Sequence, residues 1–387
     1  MRAPKETKES STEAMGDLRP ARSRRGLWIG VGAAVVVIAI LSYGVMSGWF
    51  GASTSPPVSL VGAGATFPYP LIEKWSSVYH NLTGVQVNYQ AIGSGGGIQQ
   101  ITAKTVDFGA SDAPLKPSER AAAPNLLHIP ETIGSVTFVY NLPGIGTGLN
   151  LTGPVIAAIF LGNIIRWNDA NITVLNPGAT LPNQAITVVH RSDGSGTTFV
   201  WTDYLSKVSP AWAAGPGTGK SVNWPVGIGQ QGNSGVAGFI QQSPYAAGYV
   251  ELAYVLLQSM TVAKIQNQAG NFILPSLEST AAAAAAAAPV LPNGERDWGN
   301  VSITDAPGAD SYPVASFSYL LVYRELNVIV GMTLSTAQAL VAFLWWVVHD
   351  GQSYSASLVY VSLPSSVVTI NERSIGLITY NGQVLRT

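Results

Sequence analysis

Short apolar runs alternate with amphipathic segments from Val58 onward. Residues 59–65 read as a strand running into a turn. Leu71, Trp75, Val78 and Tyr79 recur at helical spacing within 68–82, and Val85-Gln86-Val87-Asn88-Tyr89 alternates as a strand does. Gly93-Ser94-Gly95-Gly96-Gly97 opens a helix over 98–103, and 106–110 is a strand ending at Ser111-Asp112. Farther along, the pattern predicts a helix over 154–168, a strand over 186–189, helices over 199–205 and 236–242, and a strand or helix over 246–257. Residues 312–323 form a long β-like run. Residues 335–348 form a strongly apolar helix whose Trp345 and Trp346 are expected in the core. The alanine run 281–288 has no amphipathic pattern and reads as a surface insertion or helix end without a functional role. Strands alternating with helices predict an α/β fold with mainly parallel sheets.

The first 57 residues follow a different pattern. Residues 1–26 are polar, and Arg19, Arg22, Arg24 and Arg25 stand directly before Leu27–Phe50, a stretch of 24 residues without a charge. As a helix that stretch is about 36 Å long, enough to cross a hydrocarbon core of roughly 30 Å. The arginines orient residues 1–26 to the cytoplasm and everything after residue 51 to the outside. A cleaved signal peptide is the competing expectation, but its apolar region is usually only about 7–15 residues long. We therefore expect a transmembrane anchor over 27–50 and a short linker over 51–57. Sequons beginning at Asn81, Asn150, Asn171 and Asn300 are then candidate glycan sites.

Composition narrows the function. Charged residues make up 11% of the chain, against about 25% typically, and the net charge is −1. Nucleic-acid binding, which calls for a basic face, is not expected. Without cysteine there are no disulfides, thiolate metal sites or lipid-modified N-terminal Cys, and four scattered histidines do not suggest a metal site. No metal and no cofactor are expected.

The chemistry concentrates in Arg191-Ser192-Asp193-Gly194-Ser195-Gly196-Thr197-Thr198. A guanidinium, a carboxylate, hydroxyls and two glycines fall between a predicted strand and a predicted helix. Glycine lets the backbone approach a ligand closely, and successive N–H groups at a helix start form a concave anion nest. Gly62-Ala63-Gly64-Ala65-Thr66-Phe67-Pro68 and Gly93–Gly97 are similar turns before helices. Each alone reads equally well as an ordinary connection. Together with Ala110-Ser111-Asp112-Ala113-Pro114 they form a constellation in which Thr66, Ser94, Ser195 and Thr197 supply donors for an oxyanion. Two look-alikes are set aside. Ala214-Gly215-Pro216-Gly217-Thr218-Gly219-Lys220-Ser221 resembles a relaxed P-loop but has neither the preceding strand nor the following helix. Ser195 lacks a nucleophile elbow, because Asp193 stands where the first glycine belongs.

The segments 62–68, 92–97, 106–115, 191–198, 224–227 and 362–368 resemble, in order, the signature segments of the periplasmic phosphate-binding protein family, the substrate-binding component of the high-affinity phosphate ABC transporter. The resemblance implies an α/β, two-lobed periplasmic-binding-protein fold, type II-like, preceded here by the N-terminal transmembrane helix. Lobe one would comprise 58–132 and 313–387, and lobe two 133–312. It further implies that Thr66 and Phe67 contact phosphate through main-chain N–H groups, that Ser94 donates from its helix start, and that Asp112 accepts the proton of the anion. Arg191 would pair with the anion while held by Asp193, and Ser195, Gly196 and Thr197 would complete the donors. Ser192 replaces a residue that is often small and apolar, and is expected to point away. Asp112 has an alternative role as a cap of the segment that follows it. The function implied is extracytoplasmic binding of inorganic phosphate and delivery to a permease whose ATPase is a separate subunit. A phosphate sensor or scavenger feeding a signalling partner, and a phosphate-ester hydrolase, are the alternatives.

Overall fold

A computed structural model describes residues 58–287 and 291–385 of the 387-residue chain. The expected polar segment, anchor and linker over 1–57 lie outside the described residues. Among the described residues, no helix is long and apolar enough to cross a membrane.

The first half of the fold follows the predicted alternation. Strand β1 (Ser59–Gly64) leads through a buried turn to helix α1 (Tyr69–Thr83), which stops at Gly84 in the left-handed region. Strand β2 (Gln86–Ala91), helix α2 (Ser94–Thr102), strand β3 (Phe108–Ser111) and the short helix α3 (Pro117–Ala122) follow. Helix α1 buries Leu71, Trp75 and Tyr79 of the stripe that its spacing predicts, with Ile72 beside them and Val78 only partly buried.

Strand β4 (Leu126–Tyr140) is buried along all 15 residues. Its polar members His128, Glu131, Thr132, Ser135 and Thr137 break the apolar pattern by which such a strand is recognised. The second half continues with α4 (Gly153–Phe160), β5 (Thr187–Arg191), α5 (Gly196–Val208), α6 (Pro210–Ala214), β6 (Ile228–Gln230) and α7 (Gly232–Gln242). Then come β7 (Ala246–Glu251), α8 (Leu252–Gln258), α9 (Leu277–Ala287), β8 (Ala315–Tyr323), α10 (Leu334–Val348) and α11 (Ser365–Ile375).

These strands join one mixed sheet in the order β2-β1-β3-β8-β4-β7-β5-β6, with Thr261–Val262 pairing the end of β4. Pairs β1–β2, β1–β3, β5–β6 and β5–β7 are parallel. The middle of the sheet, β3–β8–β4–β7, is antiparallel. Strand β4 pairs β8 over 126–135 and β7 over 136–140, so one continuous strand joins the two halves.

Several expectations change. The helix expected over 154–168 ends at Phe160, because Gly162 adopts a left-handed φ of 78° and the chain then turns to pair Arg166 with Ala185. Residues 246–257 are a strand and then a helix, not one element. Residues 281–287 of the alanine run form the end of α9, as the second of the two expectations has it, and Ala283 and Ala284 are fully or almost fully buried against β4 and β8, so the run is not a surface insertion. In α10 the core is made by Leu340, Phe343, Leu344 and Val347. Trp345 and Trp346 are half-buried at its edge. Among the sequons, Asn81, Asn171 and Asn300 are exposed, whereas the Asn150 amide donates to Leu175 O.

Candidate functional site

In each half of the sheet the parallel strands end at Gly-rich turns that open helices, and these turns face one another. The carboxyl ends of such strands are where α/β sheets bind ligands. Thr66, Phe67, Ser94, Asp112, Arg191, Ser195, Gly196 and Thr197 are all buried there.

Strand β5 delivers Arg191 and the turn after it delivers Asp193. The guanidinium grips the carboxylate with two bonds, Nε to Oδ1 at 2.7 Å and Nη2 to Oδ2, and its Nη1 donates to Thr197 Oγ1 at 3.3 Å. The Gly232 amide adds a donor to Asp193 Oδ1 at 3.0 Å. Burial raises the Asp193 carboxyl, but Arg191 and that amide outweigh it and hold the group below the usual carboxylate range. Ser195 is the N-cap of α5, and its Oγ accepts from Thr198 N at 3.0 Å. Ser192 is exposed, as expected of a side chain pointing away.

The opposite side is built on β1, α2 and β3. Ser94 Oγ accepts from Gly196 N at 3.0 Å and from Asp112 N at 3.2 Å, so it ties the two sides together. A side chain at position 196 would meet Asp112 Oδ2 and Ser94 Oγ at 2.5 Å, so the close approach requires glycine there. Gly95 N donates to Gly194 O at 2.7 Å. Thr66 Oγ1 accepts from both Asn233 N (3.2 Å) and Asn233 Nδ2 (2.9 Å), and the same Nδ2 donates to Thr197 Oγ1 at 3.0 Å. Phe67 offers its carbonyl to Tyr360 OH at 2.6 Å.

Asp112 differs from Asp193. Its Oδ1 accepts from Ser318 Oγ at 2.9 Å, and Ser94 Oγ lies 3.5 Å from Oδ2. No cation grips it. Burial pushes its carboxyl up to about 7, against the Ser318 hydrogen bond, the Arg191 charge and the Ser94 hydroxyl. Two further carboxyls lie beneath. Burial pushes Glu131 up to about 8 and raises Glu251 well above the ordinary range. Glu251 Oε2 accepts from Ala253 N and Tyr360 OH, while its Oε1 has no partner.

The structure thus brings the predicted residues to one place. The capping role for Asp112 finds no support among its hydrogen bonds, which run to Ser94 and Ser318. Asn233 escaped sequence reasoning, yet it touches both sides and also accepts from Glu251 N at 3.1 Å. Gly232-Asn233-Ser234-Gly235, a fourth small-residue turn opening a helix, was its signal. The P-loop look-alike follows α6 and precedes no helix. Its Lys220 instead reaches Glu119 of α3 at 2.6 Å.

A family model described as a PBP superfamily domain matches residues 51–350. The chain is 48% identical over 323 residues to a phosphate-binding protein PstS of Pasteurella multocida, covering 82% of this chain and 90% of that protein. It is 46% identical over 331 residues to a phosphate-binding protein PstS of Xylella fastidiosa, covering 82% and 87%. A solved structure of a phosphate-binding protein from Stenotrophomonas maltophilia aligns with a TM-score of 0.62 over 81% of this chain and 93% of that one, at 20% identity, which is a likeness of fold. The chain belongs to the PBP superfamily and, within it, to the family of these phosphate-binding proteins. Its fold is the two-lobed α/β one expected.

Proposed function

We propose that this member of the phosphate-binding family holds inorganic phosphate, as the monohydrogen dianion, between its two lobes and delivers it to an ABC-type permease for import. The observation that carries this reading is a count of hydrogens. Thr66 Oγ1 and Thr197 Oγ1 each accept two N–H bonds, and Ser195 Oγ accepts one. With both lone pairs of the two threonine hydroxyls engaged by N–H groups, these buried groups have only an O–H left to offer, and Ser195 keeps its O–H available as well. Donors of that kind, beside a guanidinium and the start of α5, call for an oxyanion. Such an anion would enter by exchanging the cross-cleft bond from Gly196 N to Ser94 Oγ for bonds to its own oxygens, while Asn233 keeps the two threonine hydroxyls turned toward it.

The site roles follow. Arg191 supplies the positive charge and Asp193 fixes its orientation. Thr66, Phe67, Ser94, Ser195, Gly196 and Thr197 donate. Asp112 accepts the ligand proton, which sulfate lacks at neutral pH. A buried acceptor left facing an analogue without that proton is strongly disfavoured. No side chain here is arranged to attack an ester, and we read the site as one of binding without chemistry. The lobes are taken as 58–132 with 313–387 and 133–312. Closure of the lobes on the anion is a population shift that both sides favour. Residues 27–50 are read as a retained membrane anchor that keeps the lobes outside the cytoplasm near the permease. Mass spectrometry of the mature N-terminus tests the anchor, which a start near residue 52 would rule out.

Calorimetric titration with phosphate and with sulfate tests the central claim. Tight phosphate binding with sulfate weaker by orders of magnitude is expected. Equal affinity for the two anions would overturn the role of Asp112, and no binding of either would overturn the site.

A further inference from the structure

Strand β8 lies between β3 and β4, and its Ser318 hydroxyl meets a carboxyl group on each side. Asp112 Oδ1 is 2.9 Å away and Glu131 Oε1 is 3.0 Å away, and all three residues are buried. A hydroxyl has one hydrogen to give. Were both carboxyls ionised, one would face the serine's lone pairs with its charge buried and unanswered, which is strongly unfavourable. A single proton on one of them resolves this: the neutral acid donates to Ser318, and Ser318 donates to the other.

Their surroundings decide which one is neutral. Asp112 feels the charge of Arg191 and has Ser94 nearby. Glu131 has Ser318 alone, and its Oε2 has no partner. The backbone places it there deliberately. Ser318 pairs with Thr132 and Tyr319 with Pro130, which leaves Glu131 as the extra residue of a β-bulge. Bulges re-aim a side chain and cluster beside functional sites. The Glu131 carbonyl is pinned by Gln352 Nε2 at 2.9 Å.

We propose that Glu131 is a positioning residue for anion selectivity: as a neutral acid it donates to Ser318, so that Ser318 donates to Asp112 and Asp112 stays ionised with its other oxygen left to accept the ligand's proton. This rests on the phosphate reading of the site. The other titratable groups around the pair are Arg191 on β5, Tyr89 on β2, Glu251 on β7, Tyr254 on α8, Tyr319 on β8 and Tyr360 before α11. The four phenols are raised by burial and stay protonated. Raising the pH past about 8 would ionise Glu131 and set a second negative charge behind Asp112.

The experiment has two arms. Infrared difference spectra of the ligand-free wild type and Glu131→Gln at neutral pH should show the carbonyl stretch of a protonated acid that the variant lacks. Carboxylate bands in its place would overturn the proposal. This arm needs no ligand, so it stands even if phosphate binding fails. In the second arm, phosphate affinity is titrated from neutral to alkaline pH, over which the dihydrogen form gives way to the monohydrogen dianion equally for both proteins, so that the wild type is read against the variant at each pH. Glu131→Gln, whose amide also donates to Ser318, should match the wild type at neutral pH within about twofold and keep its preference over sulfate. The wild type alone should then weaken as pH passes about 8. Tenfold tighter binding by the variant at neutral pH, or superimposable alkaline profiles, would overturn the proposal. A purely structural glutamate would leave the alkaline profiles of the wild type and the variant superimposable.

Discussion

The two sides of the cleft each present an aspartate, and the two are opposites. Asp193 is gripped by two guanidinium bonds and an amide, and its carboxyl is held low. Asp112 is more deeply buried, its partners are hydroxyls, and burial pushes it up to about 7. The difference teaches how a site can bind an anion with a carboxylate facing it. On one side the negative charge is already answered and serves to orient a cation. On the other it has only hydroxyl partners, which in the proposed reading leaves it for a ligand that brings its own proton.

Breaking the first side should have the largest effect. Arg191→Met removes the cation and leaves Asp193 buried without its partner. Truncating one member of a buried charge pair costs about 2–5 kcal/mol, so phosphate affinity by calorimetry should fall about a hundred- to a thousandfold or more. A loss under tenfold would mean that the guanidinium does not face the ligand. On the second side, Asp112→Asn should cost phosphate affinity and gain sulfate affinity, and the phosphate-to-sulfate ratio should drop by about a hundredfold. The wild type should show the same trend with pH. Protonation converts Asp112 from acceptor to donor, so sulfate should bind better as pH falls through about 7, and the asparagine variant should lack that step. An unchanged ratio in the variant would return Asp112 to a structural role.

The contrast between the two aspartates was partly legible in the sequence. The Gly/Ser turns after β1, β2 and β5 stand at strand–helix junctions, and junctions show in hydrophobic periodicity. Thr66, Ser94 and residues 191–197 could therefore be placed from the sequence, whereas the role expected of Asp112 rested on the family resemblance. What periodicity could not show is the middle of the sheet. Strand β4 carries His128, Pro130, Glu131, Thr132, Gly134 and Ser135, which spoil its apolar pattern, and the bulge at Glu131 arises only from pairing with β8, almost 190 residues away in the chain. Asn233 was hidden for a related reason. It acts by reaching Thr66, 167 residues away, and no local pattern encodes that distance. Trp345 and Trp346 misled in the opposite direction, because an apolar helix with a wide nonpolar face does not reveal which of its aromatics lies at the edge.

Asn233 and Lys220 test whether the two sides need more than the ligand to hold them together. Asn233→Ala removes both donors that Nδ2 gives to Thr66 and Thr197 and the acceptor for Glu251 N. Leaving such buried groups unpaired costs about 1–3 kcal/mol, so roughly a tenfold loss of phosphate affinity is expected, with the preference over sulfate intact. A changed preference would place Asn233 against the anion's proton. Lys220 should matter least. Its carbonyl accepts from Ser195 N and so supports the anion loop whatever the side chain, while its ammonium reaches Glu119 near the rim, where the carboxylate keeps 23% of its exposure. The lysine side chain itself keeps only 8%, so the pair stands at the upper end of what partly exposed ion pairs contribute, about 1 kcal/mol. Lys220→Met therefore removes only a rim contact between elements from opposite halves of the sheet. Stopped-flow measurement should find phosphate release about two- to fivefold faster, with the association rate and the phosphate-to-sulfate ratio unchanged. A tenfold loss in affinity would show that the two sides are held together at the rim as much as by the charges at the centre.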